Sequence, residues 1–359
     1  MRDSIDSDLL FGPFRAAGIT GLQAFSDPEA AVARIAVIYD KGVAIMRDAF
    51  ARFTAGESEL GPVEAYYPFL GIEVDRKSLN LDARRSFGAL HDPGVYGITV
   101  TRPALFGEYY RRQIALLLEQ HGVPVVVGIS NRRMPLPFVI QESTADLRPD
   151  RVDALQAAFP LPDMSLIDDA IANGTFRPGP GDPKPLALFT AGRVDYSLER
   201  LDHYTATSPE YVQRFILLTN YQRYVEHFVA YARREIDEGE SFTSFIEPGD
   251  VITPNPRLSD APAVGHPPRH LPQMPAYHLT RPDRSGITMV NIGIGPSNAR
   301  TITDHLAVLR PHCWLMLGHC AGLRRTQQLG DYVLAHAYAR EDHVLDQDLP
   351  PFVAVPPIA

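Results

Sequence analysis

The sequence predicts an α/β protein in two parts, an amino-terminal α/β domain over residues 1–240 and, over 241–359, a mostly parallel sheet wrapped by helices. Three observations predict it. Elements near the amino terminus alternate between helical and extended patterns, later apolar runs are bounded by glycine as strands covered on both faces are, and 359 residues exceed one ordinary core.

The first element is a helix from Asp27 to Phe53, with Asp27 capping it before Pro28 and Glu29. Its apolar stripe runs through Val32, Ile35, Ile38, Val43, Ile45 and Phe50. "YYPFLGIEV" (66–74) and "VYGITVTRP" (95–103) read as strands, the second closed by Pro103. A helix follows over 105–122, ending at Gly122, then a buried β-branched strand, "VPVVVGIS" (123–130). The Pro- and Gly-dense stretch from Pro160 to Pro185 is either a long ordered excursion or a mobile loop. Ser208, Pro209 and Glu210 look like a helix start, and apolar positions at Val212, Phe215, Leu218, Val225 and Phe228 predict one long helix over 208–236.

A second Pro-rich stretch begins at Glu247 and marks the expected seam. Beyond it, "GITMVNIGIG" (286–295) reads as a strand, "SNARTITDHLAVLR" (297–310) as a helix, "CWLMLGHCAG" (313–322) as a buried strand and "GDYVLAHAYA" (330–339) as another.

Charge and composition narrow the function classes. Thirty-four Lys and Arg against 43 Asp and Glu give −9, which repels a polyphosphate backbone and argues against nucleic-acid binding. The acidic start "MRDSIDSDLL" lacks a signal peptide's pattern, and no apolar run reaches the length of a membrane span. With two cysteines, Cys313 and Cys320, inside one apolar run, a reducing cytoplasm is the expected setting.

The chemistry concentrates in "NIGIGPSNARTITDHL" (291–306). Gly293 and Gly295 end a strand just before a helix that Ser297 or Asn298 could cap, a device for presenting backbone N–H groups to an anion or sugar. Asn298 stands where a dinucleotide fingerprint needs its third glycine, and no acidic residue follows at the usual separation, so a nicotinamide-dependent oxidoreductase is the weaker reading. Tight strand-to-helix packing alone is the competing explanation of the glycines. "GHCAG" (318–322) ends the next strand; if the two strands are sheet neighbours, their turns form a slot for a purine with its ribose.

The stretch from Gly286 to Asp346 closely resembles the start of the catalytic domain of the AMP nucleosidases, a branch of the purine nucleoside phosphorylase superfamily. Upstream, "RVDYSLERLDHYTATSPEYVQRFILLTNYQRYVEHFV" and "ITVTRPALFGEYY" resemble that family's amino-terminal domain. The resemblance implies a nucleoside-phosphorylase-like α/β/α sandwich with a mixed, mostly parallel sheet, of which 241–359 would be the first half. It implies hydrolysis of AMP to adenine and ribose 5-phosphate by a homohexamer whose amino-terminal domain is regulatory. No cofactor is required; ATP with magnesium would activate and inorganic phosphate inhibit.

Residue by residue, the resemblance puts Ile294 and Gly295 in the ribose-lining turn and Cys320, Ala321 and Gly322 at the base pocket. Met316 and His319 stand where the phosphorylases have an arginine and a serine for the attacking phosphate. An apolar Met316 cannot supply a bidentate cationic fork, which favours water as nucleophile. Arg300, Arg324, Arg325 and Arg223 are candidates for the AMP phosphate, with an ordinary solvated arginine the competing reading for each.

Cleaving the glycosidic bond needs an acid to protonate the leaving base. The resemblance implies a later aspartate for that role and a methionine–glutamate pair for the ribose hydroxyls. Neither motif occurs in these residues, so the catalytic acid is expected beyond Ala359 and the alternative is a noncatalytic AMP-binding protein or an inactive fragment. No metal is expected from His305, His312, Cys313, His319 and Cys320, because the cysteines lie seven apart on a strand and suit buried thiols. Glu341, Asp342, His343 and Asp346 read as a solvated loop rather than an acid–base cluster.

Overall fold

In the computed structural model, the described residues are 10–57, 60–79, 90–140, 151–334, 337–339, 343, 346 and 352–354. They form two units, Met1–Tyr196 and Ser197–Ala359, so the division falls ahead of the expected 240/241.

The first unit runs α1 (residues 10–16), β1 (Thr20–Phe25), α2 (Pro28–Thr54), β2 (Tyr66–Val74), β3 (Gly94–Thr99), α3 (Pro103–His121), β4 (Val125–Arg133), α4 (Val152–Ala158) and β5 (Lys184–Pro185), and includes the start of α5 (Ala191–Thr205). Its sheet has the order β1-β4-β2-β3-β5, antiparallel except for β3 with β5. Asp27 caps α2 as expected, its carboxylate accepting from the Ala30 N–H at 2.8 Å. Ile35, Ile38, Met46, Phe50 and Phe53 are buried, whereas Ile45, placed in the same stripe from sequence, faces out. Gly122 closes α3 in the left-handed region, φ 64°, donating to the Leu118 carbonyl.

Strand β3 stops at Thr99 rather than running to Pro103 because Arg102 turns left-handed (φ 42°) and reaches inward. Its Nε lies 3.3 Å from the buried Asp195, which also accepts from the Tyr67 hydroxyl (2.7 Å) and the Thr101 hydroxyl (2.9 Å). Burial pushes the Asp195 carboxyl up against the opposing pull of these donors. The Tyr39 phenol is pushed up to about 12 by burial and then by Asp195. On the sheet, Gly97 is required by a close approach, since a Cβ there would sit 2.1 Å from the Phe69 ring.

The excursion over 160–185 is an ordered one. Asp163 caps a 3₁₀ turn at Met164–Leu166, β5 pairs with β3, and Asp169 holds Arg193 at 2.8 Å.

The second unit overturns the single helix expected over 208–236. Ser208 starts only a 3₁₀ turn (Pro209–Tyr211), β6 (Phe215–Thr219) follows, and the helix α6 begins at Gln222 and ends at Glu238. "FILLT" is apolar on both faces, as an interior strand must be, and a helix would leave half of it in water. β6 lies inside the second sheet, and this is why the division precedes residue 240.

The remaining elements are β7 (Ser244–Glu247), β8 (Val251–Pro254), β9 (Ala276–Thr280), β10 (Ile287–Asn291), α7 (Pro296–Ala307), β11 (Cys313–Leu317), β12 (Ala337–Ala339) and β13 (Phe352–Ala354). The sheet order is β11-β6-β10-β9-β7-β8. It is mixed: β11, β6 and β10 are parallel, and β9, β7 and β8 add antiparallel pairs. Val225, Phe228, Ala232 and Ile236 of α6 pack on Phe245, Leu279 and Met289. On the other face His278 is fully buried between the hydroxyls of Thr288 and Thr207, 2.9 Å from each. Burial, and then Arg284, lowers its pKa to about 3, so the imidazole is neutral.

Two further expectations change. β11 was expected to be buried, but it is the sheet's edge among the described residues and is exposed along most of its length. Of "GDYVLAHAYA", residues 330–334 are not strand, 335 and 336 lie outside the described residues, and Ala337–Ala339 is a strand paired antiparallel with Phe352–Ala354.

Candidate functional site

Three parallel strands end level with one another. Register aligns Thr219 of β6 with Asn291 of β10 on one side and with Leu317 of β11 on the other, so their following turns share one edge of the sheet. The strands carrying the two glycine turns are therefore not neighbours. β6 lies between them, and at about 4.8 Å per strand the turns stand roughly 10 Å apart. The base of that gap is the passage from the end of β6 through Asn220 and Tyr221 into the first turn of α6, all of it expected from the sequence to be one helix.

The β10–α7 turn is built by its asparagines. Gly293 (φ 67°) donates its N–H to the Asn291 side chain at 3.1 Å, and Asn298 donates from Nδ2 to the Ile294 carbonyl at 3.3 Å. The cap of α7 is Gly295 itself, at φ 106° and with no side-chain hydrogen bond, rather than Ser297 or Asn298, which lie within the first turn. A Cβ on Gly295 would meet nothing within 4 Å, so the glycine answers a backbone requirement rather than crowding. Ile294 is 83% exposed and Ser297 is exposed as well.

A second helix begins at the same edge. Tyr221 caps α6 without a side-chain hydrogen bond, and Arg223 stands exposed in its first turn. Gln222 accepts from Asn291 Nδ2 at 3.3 Å, which ties the two turns together. Two helix starts lacking side-chain caps, with a cation beside one, make this edge electropositive and suited to a phosphate.

The third turn closes the other side. His319 packs against Tyr221 and Tyr224, with ring centroids 4.5 Å and 5.2 Å away. Cys320, Ala321 and Gly322 continue from it in exposed backbone, and Gln327 accepts from the Arg324 N–H at 2.9 Å. Arg324 and Arg325 lie in that exposed loop. Arg300 is on α7 and pairs with Asp304 at 3.7 Å. The structure thus gathers Ile294, Gly295, Ser297, Asn298, His319 and Arg223 at or beside one edge; Tyr221 and Tyr224 are the residues sequence reasoning missed. Their signal was "FILLTNY", an apolar run broken by Asn-Tyr.

The weaker clusters resolve plainly. His305 is buried, bonded to the Ser197 hydroxyl at 3.1 Å and stacked on Tyr204, and His312 lies edge-on to Phe215. Both cysteines are exposed rather than buried thiols, because they sit on and after the edge strand. Among the described residues no group of His, Cys, Asp and Glu could hold a metal. His343 and Asp346 form an exposed pair at 2.6 Å, while Glu341 and Asp342 lie outside the described residues. No helix among the described residues is long and apolar enough to cross a membrane.

The first unit holds a cavity of about 590 Å³ lined by Tyr67, Phe69, Ile98 and Thr99 of its sheet and by Arg132 and Asp163.

Comparison with known proteins bears on both units. Residues 30–183 match the family model described as the bacterial AMP nucleoside phosphorylase N-terminus. The AMP nucleosidase of Escherichia coli K12 is 42% identical over 344 residues, covering 92% of this chain and 69% of that protein, and that of E. coli O157:H7 agrees equally. A crystal structure of AMP nucleosidase from Bacteroides thetaiotaomicron VPI-5482 is 25% identical over 44% of this chain. The match spans about half of that structure's chain, 51%, with a TM-score of 0.30. The identity with the E. coli proteins, sustained across both units, shows that the chain belongs to the AMP nucleosidase family.

Proposed function

We propose that the carboxyl edge of β6, β10 and β11 is the AMP site of an N-glycosyl hydrolase that releases adenine and ribose 5-phosphate. The observation that carries this reading is the convergence of two helix starts without side-chain caps, α6 and α7, on one edge with Arg223 beside them. Such an edge favours a dianionic phosphate. Ile294 and Gly295 then face the ribose, and Ser297 and Asn298 add first-turn backbone donors. His319, Cys320, Ala321 and Gly322 border the base. Arg223 is favoured over Arg300 for the phosphate because Arg300 already pairs with Asp304, and Arg324 is a further candidate from the third turn.

Met316 is half exposed on β11 and brings no charge to the edge. Water as the attacking group follows from that lack of a cationic fork. Protonation of the leaving adenine is the remaining chemical need.

The test is direct. The purified chain is incubated with AMP, bound AMP is measured by equilibrium dialysis, and adenine and ribose 5-phosphate are quantified chromatographically; AMP binding is the expected result, and equimolar release identifies the hydrolase. AMP bound without turnover would assign the chain a noncatalytic nucleotide-binding role, and neither binding nor release would remove the proposal.

The same reading extends to a cytoplasmic homohexamer activated by ATP with magnesium and inhibited by phosphate. Light scattering and the rate with and without each effector check these points.

A further inference from the structure

What holds His319 in place is a question the family assignment leaves open. Its side chain is exposed on the turn after an edge strand, where an imidazole would ordinarily sample several rotamers. Neither ring nitrogen has a hydrogen-bond partner among the described residues, yet the ring is enclosed by two others. Tyr221 lies at 4.5 Å with 61° between planes and Tyr224 at 5.2 Å with 47°, and the two tyrosines stand edge to face at 5.9 Å.

Both tyrosines come from the most firmly held part of the edge. Thr219 is fully buried at the end of the interior strand β6, and its hydroxyl accepts from the Tyr221 N–H at 3.1 Å. The Tyr224 N–H donates to the Tyr221 carbonyl at 3.0 Å, so one helical turn sets both rings. A Cβ added at Gly318 would meet the Tyr221 ring at ordinary van der Waals distance, so the ring lies close beside the start of the β11 turn. An exposed histidine beyond an edge strand thus leans on an aromatic pair anchored in the sheet interior.

We infer that Tyr221 and Tyr224 are positioning residues that clamp the His319 imidazole and leave its nitrogens for the ligand in the gap between the β10 and β11 turns. The inference rests on the AMP reading of that edge. Neither tyrosine needs to touch AMP, so the ring matters and the hydroxyl does not. Fixing the imidazole beforehand removes an ordering cost from binding, worth about five- to tenfold in affinity for one immobilised side chain.

The test is AMP binding by the full chain, measured by equilibrium dialysis in the cold with adenine monitored, for the unaltered protein, Tyr221→Leu, Tyr221→Phe, His319→Ala and the double variant Tyr221→Leu with His319→Ala. Tyr221→Leu is expected to weaken AMP about five- to tenfold, Tyr221→Phe to retain it, and the double variant to be no weaker than His319→Ala alone. If Tyr221→Leu does not fold, Tyr224→Leu replaces it in the same cycle. Losses that multiply in the double variant, or a Tyr221→Phe as weak as Tyr221→Leu, overturn the clamp while leaving the AMP site standing. An unaltered chain that does not bind AMP removes both.

Discussion

Strands β10 and β11 are close to a controlled pair. Their sequences, ITMVN and CWLML, are both rich in apolar residues, each runs parallel to β6 in the same register, and each leads into a glycine-containing turn. Their environments diverge. Met289 and Val290 are 2% and 0% exposed, whereas Leu315 and Met316 are 44% and 51% exposed. β10 has β6 on one side and β9 on the other, while among the described residues β11 has β6 alone. An apolar run therefore states what a strand can bury, and its neighbours decide what it does bury.

The sharpest way to break this comparison is by truncation in each strand. Met289→Ala removes a side chain packed under α6 and is expected to cost about 3 kcal/mol, while Leu315→Ala is expected to cost less than about 1 kcal/mol. Urea unfolding of both variants checks it; equal losses would mean that β11 is buried in solution.

A second contrast is acid sensitivity. The folded pKa of His278 is about 3 against 6.5 for the free group, so the folded state takes up fewer protons between these values. Its stabilising share is intact above about 6.5 and declines as pH falls toward about 3. Substituting His278 by Gln, with Thr288 and Thr207 still offered a partner, should flatten that part of the profile, read as melting temperature against pH. β11 has no equivalent buried group among the described residues, so the sensitivity belongs to the β9–β10 side.

The two turns differ next. Gly295→Val forces a β-branched residue to φ 106° and should cost about 1–3 kcal/mol of stability while weakening AMP. Gly318→Ala, whose added Cβ meets Tyr221 only at ordinary contact distance, should be near neutral by comparison. Calorimetric melting of the two variants ranks them. The smallest expected effect separates the arginines. Arg223→Ala should weaken AMP about tenfold, the worth of one charge-assisted contact, and Arg300→Ala about twofold or less because its charge is already paired. A titration in which Arg300→Ala proves the more damaging would move the phosphate to α7.

Much of the architecture was legible because it depends on short-range chemistry. The cap at Asp27, the left-handed stop at Gly122 and the apolar run of β2 each follow from a few adjacent residues. The segment 208–236 was not legible in the same way. Val212, Phe215 and Leu218 continue by accident the helical period that Val225 and Phe228 follow in α6, and the start signal at Ser208 serves a single 3₁₀ turn. Misreading β6 also hid Tyr221 and Tyr224, so half of the candidate site was missing even though Gly293, Gly295 and His319 were identified.

The sequence by itself determined which residues are candidates for the site, the glycines of the β10–α7 turn, the uncharged Met316 and the arginines, together with the family likeness. Only the tertiary structure decided which of them meet. It placed β6 between the two turns, widened the slot by one strand, supplied an aromatic pair at its base and left β11 at the edge. The reason is physical: turns and caps are settled by contacts a few residues apart, whereas strand order is settled by pairings between segments about 70 and 100 residues apart, which no local pattern encodes.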